Sequence, residues 1–264
     1  MPQTLTIATW NVNSVRSRLP NLLAWLGANP VDILLLQELK CIKEQFPRME
    51  LEDLGYNLAI HGQKTFNGVA ICSKYPLDDI VCELPGDGSD SAARYIEAVV
   101  SLKGAALRVA SVYVPNGQEV GSDKFAYKLS FLERLSALWA QHLRHHEIAV
   151  LGGDFNVAPY PVDVYDPEKL DGSVCYHPEE RQRLRALLHL GMVDAFRQLH
   201  PQIQKFSWWD YRGGSYPRGH GMRIDHLLLS PEAADCLVRA SIDENPRGEE
   251  KPSDHAPVIA TLKF

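Results

Sequence analysis

Short apolar runs bounded by turn residues recur along the whole chain. They are Leu5–Trp10, Ile33–Leu36, Val69–Cys72, Tyr95–Leu102, Leu107–Val114, Ile148–Leu151, Ile224–Leu229 and Pro257–Leu262. Most are rich in Val, Ile and Leu and apolar on consecutive residues, the pattern of strands covered on both faces. A second period lies between some of them. From Asp123 to His146, the residues Phe125, Leu129, Leu132, Trp139 and Leu143 recur at three-to-seven spacing, which predicts a helix. Pro178 followed by Glu179 and Glu180 predicts another helix start, with Leu184, Leu187 and Leu188 on one face. A third helix is expected over Pro20–Ala28.

Strand runs outnumber helical ones, and some neighbouring strands have no helix between them. That breaks the strict alternation of a barrel or a doubly wound sheet. It predicts mixed sheets packed face to face, with helices outside. The polar loops Pro85–Ala92, Asp210–Gly221 and Glu244–Ser253 are each about ten residues, short enough for one compact unit. One domain over residues 1–264 is therefore expected.

Composition narrows the class. With 45% hydrophobic and 23% charged residues, the 264-residue chain can bury a full core, which excludes a disordered or collagenous chain. No run of about 18 apolar residues is present, so no membrane span is expected. The N-terminal stretch MPQTLTIATWN lacks a basic region followed by an apolar one, so a cytoplasmic location is expected. The net charge of −6 argues against a coat-like nucleic-acid binder. It leaves room for an enzyme whose carboxylates gather around a cation. Cys41, Cys72, Cys82, Cys175 and Cys236 are odd in number and form no C-x-x-C pair, so they read as reduced structural thiols.

The informative residues sit where apolar runs end. Ile7–Trp10 runs into Asn11-Val12-Asn13, Leu34–Leu36 into Gln37-Glu38, and Val112–Val114 into Pro115-Asn116-Gly117. Val150-Leu151 runs into Gly152-Gly153-Asp154-Phe155-Asn156, while Arg223-Ile224-Asp225 and Ser253-Asp254-His255 open two further runs. Any one of these is more often a strand-end cap than a site. Six together are harder to explain that way. Glu38, Asp154, Asp225 and Asp254 are carboxylates and Asn11, Asn13 and Asn156 are amides, hard oxygen donors suited to Mg²⁺ or Mn²⁺. No His/Cys group has zinc spacing. The adjacent Ser253, Asp254 and His255 do not make a triad, because successive side chains diverge and no G-x-S-x-G elbow occurs. A histidine oriented by a distant aspartate beside an oxygen-ligated cation fits phosphoester hydrolysis better.

The ordered set Thr9–Asn13, Gln37-Glu38, Gly153–Asn156, Arg223–Asp225 and Ser253–His255 resembles the exonuclease III/AP endonuclease family of the endonuclease–exonuclease–phosphatase superfamily. Tyr113–Gly117 and Phe206–Tyr211 extend the match, which runs from Ile7 to about Ile259. Each motif alone is weak; the set in this order is specific. The resemblance implies an α/β four-layer sandwich like that of DNase I. It also implies Mg²⁺-dependent cleavage of double-stranded DNA on the 5′ side of abasic sites and 3′→5′ exonuclease or 3′-end processing.

Carried over by motif position, Glu38 is implied as the principal metal ligand, with Asn11 and Asp254 nearby and Asp154, Asn156 and His255 completing the metal environment. Asp154 is implied to activate water or protonate the leaving oxygen, and Asn156 to orient the phosphate. His255, held by Asp225, is implied to bind phosphate, and Tyr113 to contact the scissile phosphate. Trp208, Met222 and Ile224 would line an apolar pocket for a base-free sugar. Asn13, Lys64, Asn67 and Arg212, with Arg218 and Arg223, would contact DNA. For Trp209, core packing is the equal alternative.

Two positions depart from the pattern: Gly219 stands where many members carry Asn, and Gln118 where eukaryotic members place Arg. A phosphodiesterase or phosphatase acting on lipid or inositol phosphates is the competing reading within the superfamily. A non-catalytic DNA-binding module is the competing reading outside enzymes, and the intact carboxylates argue against it. A monomer is expected, since a cleft on one domain needs no second subunit.

Overall fold

The protein is described here by a computed structural model covering residues 4–264; Met1–Gln3, part of the stretch read for a leader, lie outside the described residues. Twelve strands are present among the described residues: β1 (Thr4–Asn11), β2 (Ile33–Gln37), β3 (Asn57–His61), β4 (Val69–Ser73), β5 (Leu77–Val81), β6 (Tyr95–Leu102), β7 (Ala105–Tyr113), β8 (Ala149–Asp154), β9 (Val193–Asp194), β10 (Asp225–Leu229), β11 (Leu237–Ile242) and β12 (Val258–Lys263). They form two six-stranded sheets, ordered β11-β12-β1-β2-β4-β3 and β5-β6-β7-β8-β10-β9.

Both sheets are mixed, as the sequence predicts. Each holds one parallel pair, β1–β2 and β7–β8, among antiparallel neighbours. A parallel pair needs a crossover, and two of the three predicted helices supply it. Leu19–Ala28 joins β1 to β2, and Asp123–His142 joins β7 to β8. The second is started by Ser122, whose hydroxyl oxygen accepts the Phe125 N–H at 3.2 Å. Pro178–His189 packs beside it and begins with Glu180 accepting the His177 N–H at 3.0 Å.

Strand alternation sorts the side chains into layers. Leu5 and Ile7 of β1, Ile33 and Leu35 of β2, Leu107 and Val109 of β7, Val150 of β8 and Leu227 and Leu229 of β10 meet in one core between the sheets. Ala8, Trp10, Leu34 and Leu36 face outward against Leu22, Trp25 and Leu26. Ala110, Val112, Leu151 and Leu228 face outward against Phe131, Leu135, Trp139, Leu184 and Leu187. The order of layers is helix, sheet, sheet, helix, the four-layer sandwich expected. Gly152 shows how closely the sheets approach: a Cβ there would stand 2.6 Å from Leu35 Cδ1 and from Leu227 Cδ2.

That alternation also builds the site. Continuing each inward-facing series to the end of its strand gives Thr9 and Asn11, Gln37, Ser111 and Tyr113, Asp154, and Asp225. Pairing brings Asn11 opposite Gln37, Tyr113 opposite Asp154, and Asp154 opposite Asp225. At one end, then, the space between the sheets changes from apolar to polar. It is the end where all four parallel strands finish.

Candidate active site

Backbone geometry at that end is strained. Asn13, Ser14, Glu38, Lys40, Asn67 and Asn156 all have φ between +44° and +88°, in the left-handed region. Each such non-glycine residue costs on the order of 1–3 kcal/mol, which the surrounding fold must offset. Left-handed residues turn the chain back just after a strand, which places Glu38 at the end of β2 and folds the Asp154–Asn156 segment over the end of β8.

The side chains there hold one another. The Asn11 amide nitrogen donates to Glu38 Oε1 and to Asp154 Oδ2, both at 2.9 Å, while its oxygen accepts the Asn13 N–H at 3.0 Å. Glu38 Oε2 pairs with Lys40 Nζ at 2.8 Å, and Lys40 also donates to Asn13 Oδ1. Asp154 Oδ1 accepts the Asn156 N–H at 2.9 Å. The carboxylate oxygens of Glu38 and Asp154 and a ring nitrogen of His255 lie within 4.8 Å of one another.

His255 is buried and anchored at both ends. Its Nδ1 lies 2.9 Å from Asp225 Oδ2, its Nε2 3.8 Å from Asp154 Oδ2, and its carbonyl accepts the Trp10 indole N–H at 3.1 Å. Asp225 in turn accepts from the Ser207 hydroxyl at 2.7 Å. Burial works against a charged imidazole, but Asp225 and Asp154 outweigh it and push the His255 pKa up to about 10. For Asp154 the balance differs. Burial raises it, Asp225 and Glu38 add to the rise, His255 and the Asn11 amide oppose it, and the carboxyl is pushed up to about 7. Burial, Glu38 and Asp154 together hold the Tyr113 phenol protonated, well above its ordinary range. The guanidinium of Arg94 lies over the Tyr113 ring, 4.6 Å from its centroid.

Asp254 flanks the cluster, with Oδ1 accepting from Asn13 Nδ2 at 2.9 Å and Oδ2 from the Trp208 indole at 3.0 Å. The Asn156 amide turns away from it, donating to the Val114 carbonyl and accepting from Asn116, each at 3.0 Å. Trp208 bridges Met222 on one side and His255 on the other. With Ala158, Val164, Cys175, Tyr176 and Ile224, they make an apolar wall beside the histidine. Trp209 packs instead in the core between the sheets. Lys64 is exposed, and Asn67 bonds through its carbonyl to the Lys40 N–H at 2.9 Å, placing that loop against the Glu38 turn. Arg212 is exposed and paired with Asp210 at 3.0 Å, and Gly219 sits in a turn with φ +67°. Lys40 and Arg94 escaped the sequence reading, although Lys40 lies two residues from Glu38, and Ser207 was read only as part of the Phe206–Tyr211 motif, with no role of its own.

Arg223, read as a rim cation, is fully buried. Its Nε lies 2.7 Å from Asp163 Oδ1 and its Nη1 2.7 Å from Asp194 Oδ2. It is a strut beneath the apolar wall, since its N–H also bonds the Asp163 carbonyl at 2.7 Å. Burial alone would raise the Asp194 pKa, but Arg223 and His226 hold it well below the usual carboxylate range. Arg223→Met takes the guanidinium from buried Asp194 and leaves Asp163 with Arg197 alone, and is expected to cost about 3–5 kcal/mol, read as a lowered Tm. Because the Asp194 pKa is depressed on folding, this contribution is present above the unfolded value of about 3.9 and is lost as pH falls below it. The Tm gap between wild type and variant should therefore narrow in acid. A Tm within a degree of wild type at neutral pH would contradict the strut.

The exodeoxyribonuclease III of Haemophilus influenzae is 34% identical over 264 residues, covering 97% of this chain and 98% of its own. The 3′ phosphatase NExo from Neisseria, solved with product DNA hairpin, superposes with a TM-score of 0.94 at 42% identity, covering 98% of this chain and 100% of its own. An AP endonuclease from Archaeoglobus fulgidus superposes with a TM-score of 0.92 at 40% identity, covering 98% and 99%. Residues 8–255 match the sequence pattern shared by endonucleases, exonucleases and phosphatases of this fold, and the chain belongs to the endonuclease/exonuclease/phosphatase family.

Proposed function

We propose that this protein is a DNA-repair nuclease, a divalent-metal-dependent phosphodiester hydrolase acting on double-stranded DNA at abasic sites and at 3′ ends. The observation that carries the reading is the convergence of Glu38, Asp154 and His255 within 4.8 Å, with His255 locked to Asp225. The relatives support it: their names span exodeoxyribonuclease, AP endonuclease and 3′ phosphatase, and one is bound to DNA. No helix among the described residues is long and apolar enough to cross a membrane.

The residues present fit a hard divalent cation such as Mg²⁺, or Mn²⁺. Glu38 is the partly exposed carboxylate of the cluster and would hold it, with Asp154 beside it. The Asn11 amide turns its nitrogen to both carboxylates, so in this arrangement it positions them. His255, with Nδ1 held by Asp225 and its charged form favoured by Asp225 and Asp154, is assigned to phosphate. When bound, the ion offsets phosphate charge during in-line attack. The protein supplies the rest. Asp154, with a proton affinity near neutral, takes the proton of the attacking water. Tyr113, kept protonated, donates to a phosphate oxygen, and His255 adds positive charge that Asp225 holds in place. The wall of Trp208, Met222 and Ile224 accepts a sugar that carries no base. A single copy contains every one of these groups, so a monomer suffices.

Glu38→Ala is expected to raise the Mg²⁺ concentration needed for half-maximal cleavage by about tenfold or more, the scale for losing a well-placed ligand or its support. An unchanged metal titration would remove Glu38 as ligand. A panel of duplexes bearing an abasic analogue, a recessed 3′-hydroxyl or a 3′-phosphate, each with Mg²⁺, tests the substrate reading. Cleavage or trimming of at least one duplex is expected. Turnover of inositol or lipid phosphates with all three duplexes untouched would replace the reading by the competing one.

A further inference from the structure

Lys128 and Glu180 are fully buried, on the two long helices behind the second sheet, and no step above uses them. A lysine ammonium has three donors, and all three are placed. Lys128 Nζ donates to the Asn116 carbonyl at 3.0 Å, to the Asn156 carbonyl at 2.7 Å and to Glu180 Oε1. Glu180 Oε2 accepts the His177 N–H at 3.0 Å. The pair thus ties together the turns after β7 and β8 and the segment leading into Pro178–His189.

We infer that Lys128 is a positioning residue for the catalytic turn Asp154–Asn156. Asn156 has φ +51°, in the left-handed region that asparagine adopts more readily than other side-chain-bearing residues, and it turns the chain sharply after β8. The ammonium grips the carbonyl of that residue, while its N–H is held by Asp154 Oδ1 and its amide by Asn116 and Val114. Loosening the carbonyl loosens the orientation of the Asp154 carboxylate. The chain makes room for this grip at Gly117, where φ is +92° and a Cβ would stand 3.1 Å from Lys128 Cδ. Being sealed from solvent, Lys128 acts through the two turns and cannot touch substrate.

The inference rests on the proposed nuclease reading for its kinetic consequence alone. The test is the double variant Lys128→Met/Glu180→Gln, which leaves no unpaired buried charge and keeps an acceptor for the His177 N–H. Two readouts are compared with wild type at equal folded fraction. Amide hydrogen exchange across residues 154–158 should quicken at least tenfold, with the rest of the sheets unchanged. On duplex DNA, kcat should fall about 10- to 100-fold, the scale for small misplacement of a catalytic group, with KM within about threefold. Unchanged exchange at 154–158, or kcat within twofold of wild type, overturns the inference. So does a general rise in exchange over both sheets, which would make the pair merely structural. If wild type cuts no duplex, the nuclease reading fails, and the exchange measurement still decides whether Lys128 fixes the turn.

Discussion

Replacing Asp154 by asparagine should lower turnover on duplex DNA by at least about 10²-fold, the usual scale for a general acid/base group. Asp154 is 1% exposed and its carboxyl is pushed up to about 7 by burial, so it can gain and lose a proton near neutrality. Asparagine keeps the shape and removes that capacity. It also satisfies one fewer donor, because Oδ1 accepts the Asn156 N–H and Oδ2 the Asn11 amide. Circular dichroism should show the variant folded, and a gel assay should show the loss in kcat with a modest change in KM. Near-wild-type cleavage would remove Asp154 from the proton path.

His255→Ala is expected to be similarly damaging, again by about 10²-fold or more, because it takes away a charge-assisted donor and strands Asp225. Among the described residues Asp225 Oδ1 already lacks a hydrogen-bond partner, and losing the imidazole leaves Oδ2 with only the Ser207 hydroxyl. Stability carries an independent signature. The His255 pKa is raised on folding, so its contribution is fully present below the unfolded value of about 6.5 and is lost as pH rises through about 10. The stability gap between wild type and His255→Ala should therefore shrink between those limits, in denaturant titrations at several pH values. A gap that widens with pH would contradict an imidazolium held by Asp225 and Asp154.

The central strands were legible because burial on both faces demands consecutive apolar residues, and their ends were legible because the apolar series stops at Asn11, Gln37 and Asp154. The strands missed by pattern are β3, β5, β9 and β11, and each lies at a sheet edge. Leu77–Val81 reads LDDIV and is largely exposed, and Leu237–Ile242 carries Arg239. Edge strands need charge and exposure to avoid pairing with other chains, which erases the signal that identifies inner ones. The predicted helix Asp123–His146 ends its α-helical part at His142 and tightens to a 3₁₀ turn over Leu143–His145.

Long-range polar pairs were the harder part. Arg223 beside Ile224 reads as a rim cation until Asp163 and Asp194 are brought to it from 60 and 29 residues away in the chain. Lys128 and Glu180 occupy helix positions where a charge ordinarily means a solvated face. Only the packing of Asp123–His142 against Pro178–His189 turns them inward. Trp209 joined the core, whereas Trp208 stayed at the wall beside His255, one residue and one face apart.

At one end of the sandwich we place a metal-dependent phosphodiester-hydrolysing centre for duplex DNA. The most direct measurement incubates wild-type protein with an end-labelled duplex holding one abasic-site analogue, in Mg²⁺ and in EDTA. Shortened labelled product is expected in Mg²⁺, either a single cut at the lesion or a ladder from the 3′ end, and none in EDTA. Product that persists in EDTA, or an intact duplex with Mg²⁺ and Mn²⁺ alike, would contradict it.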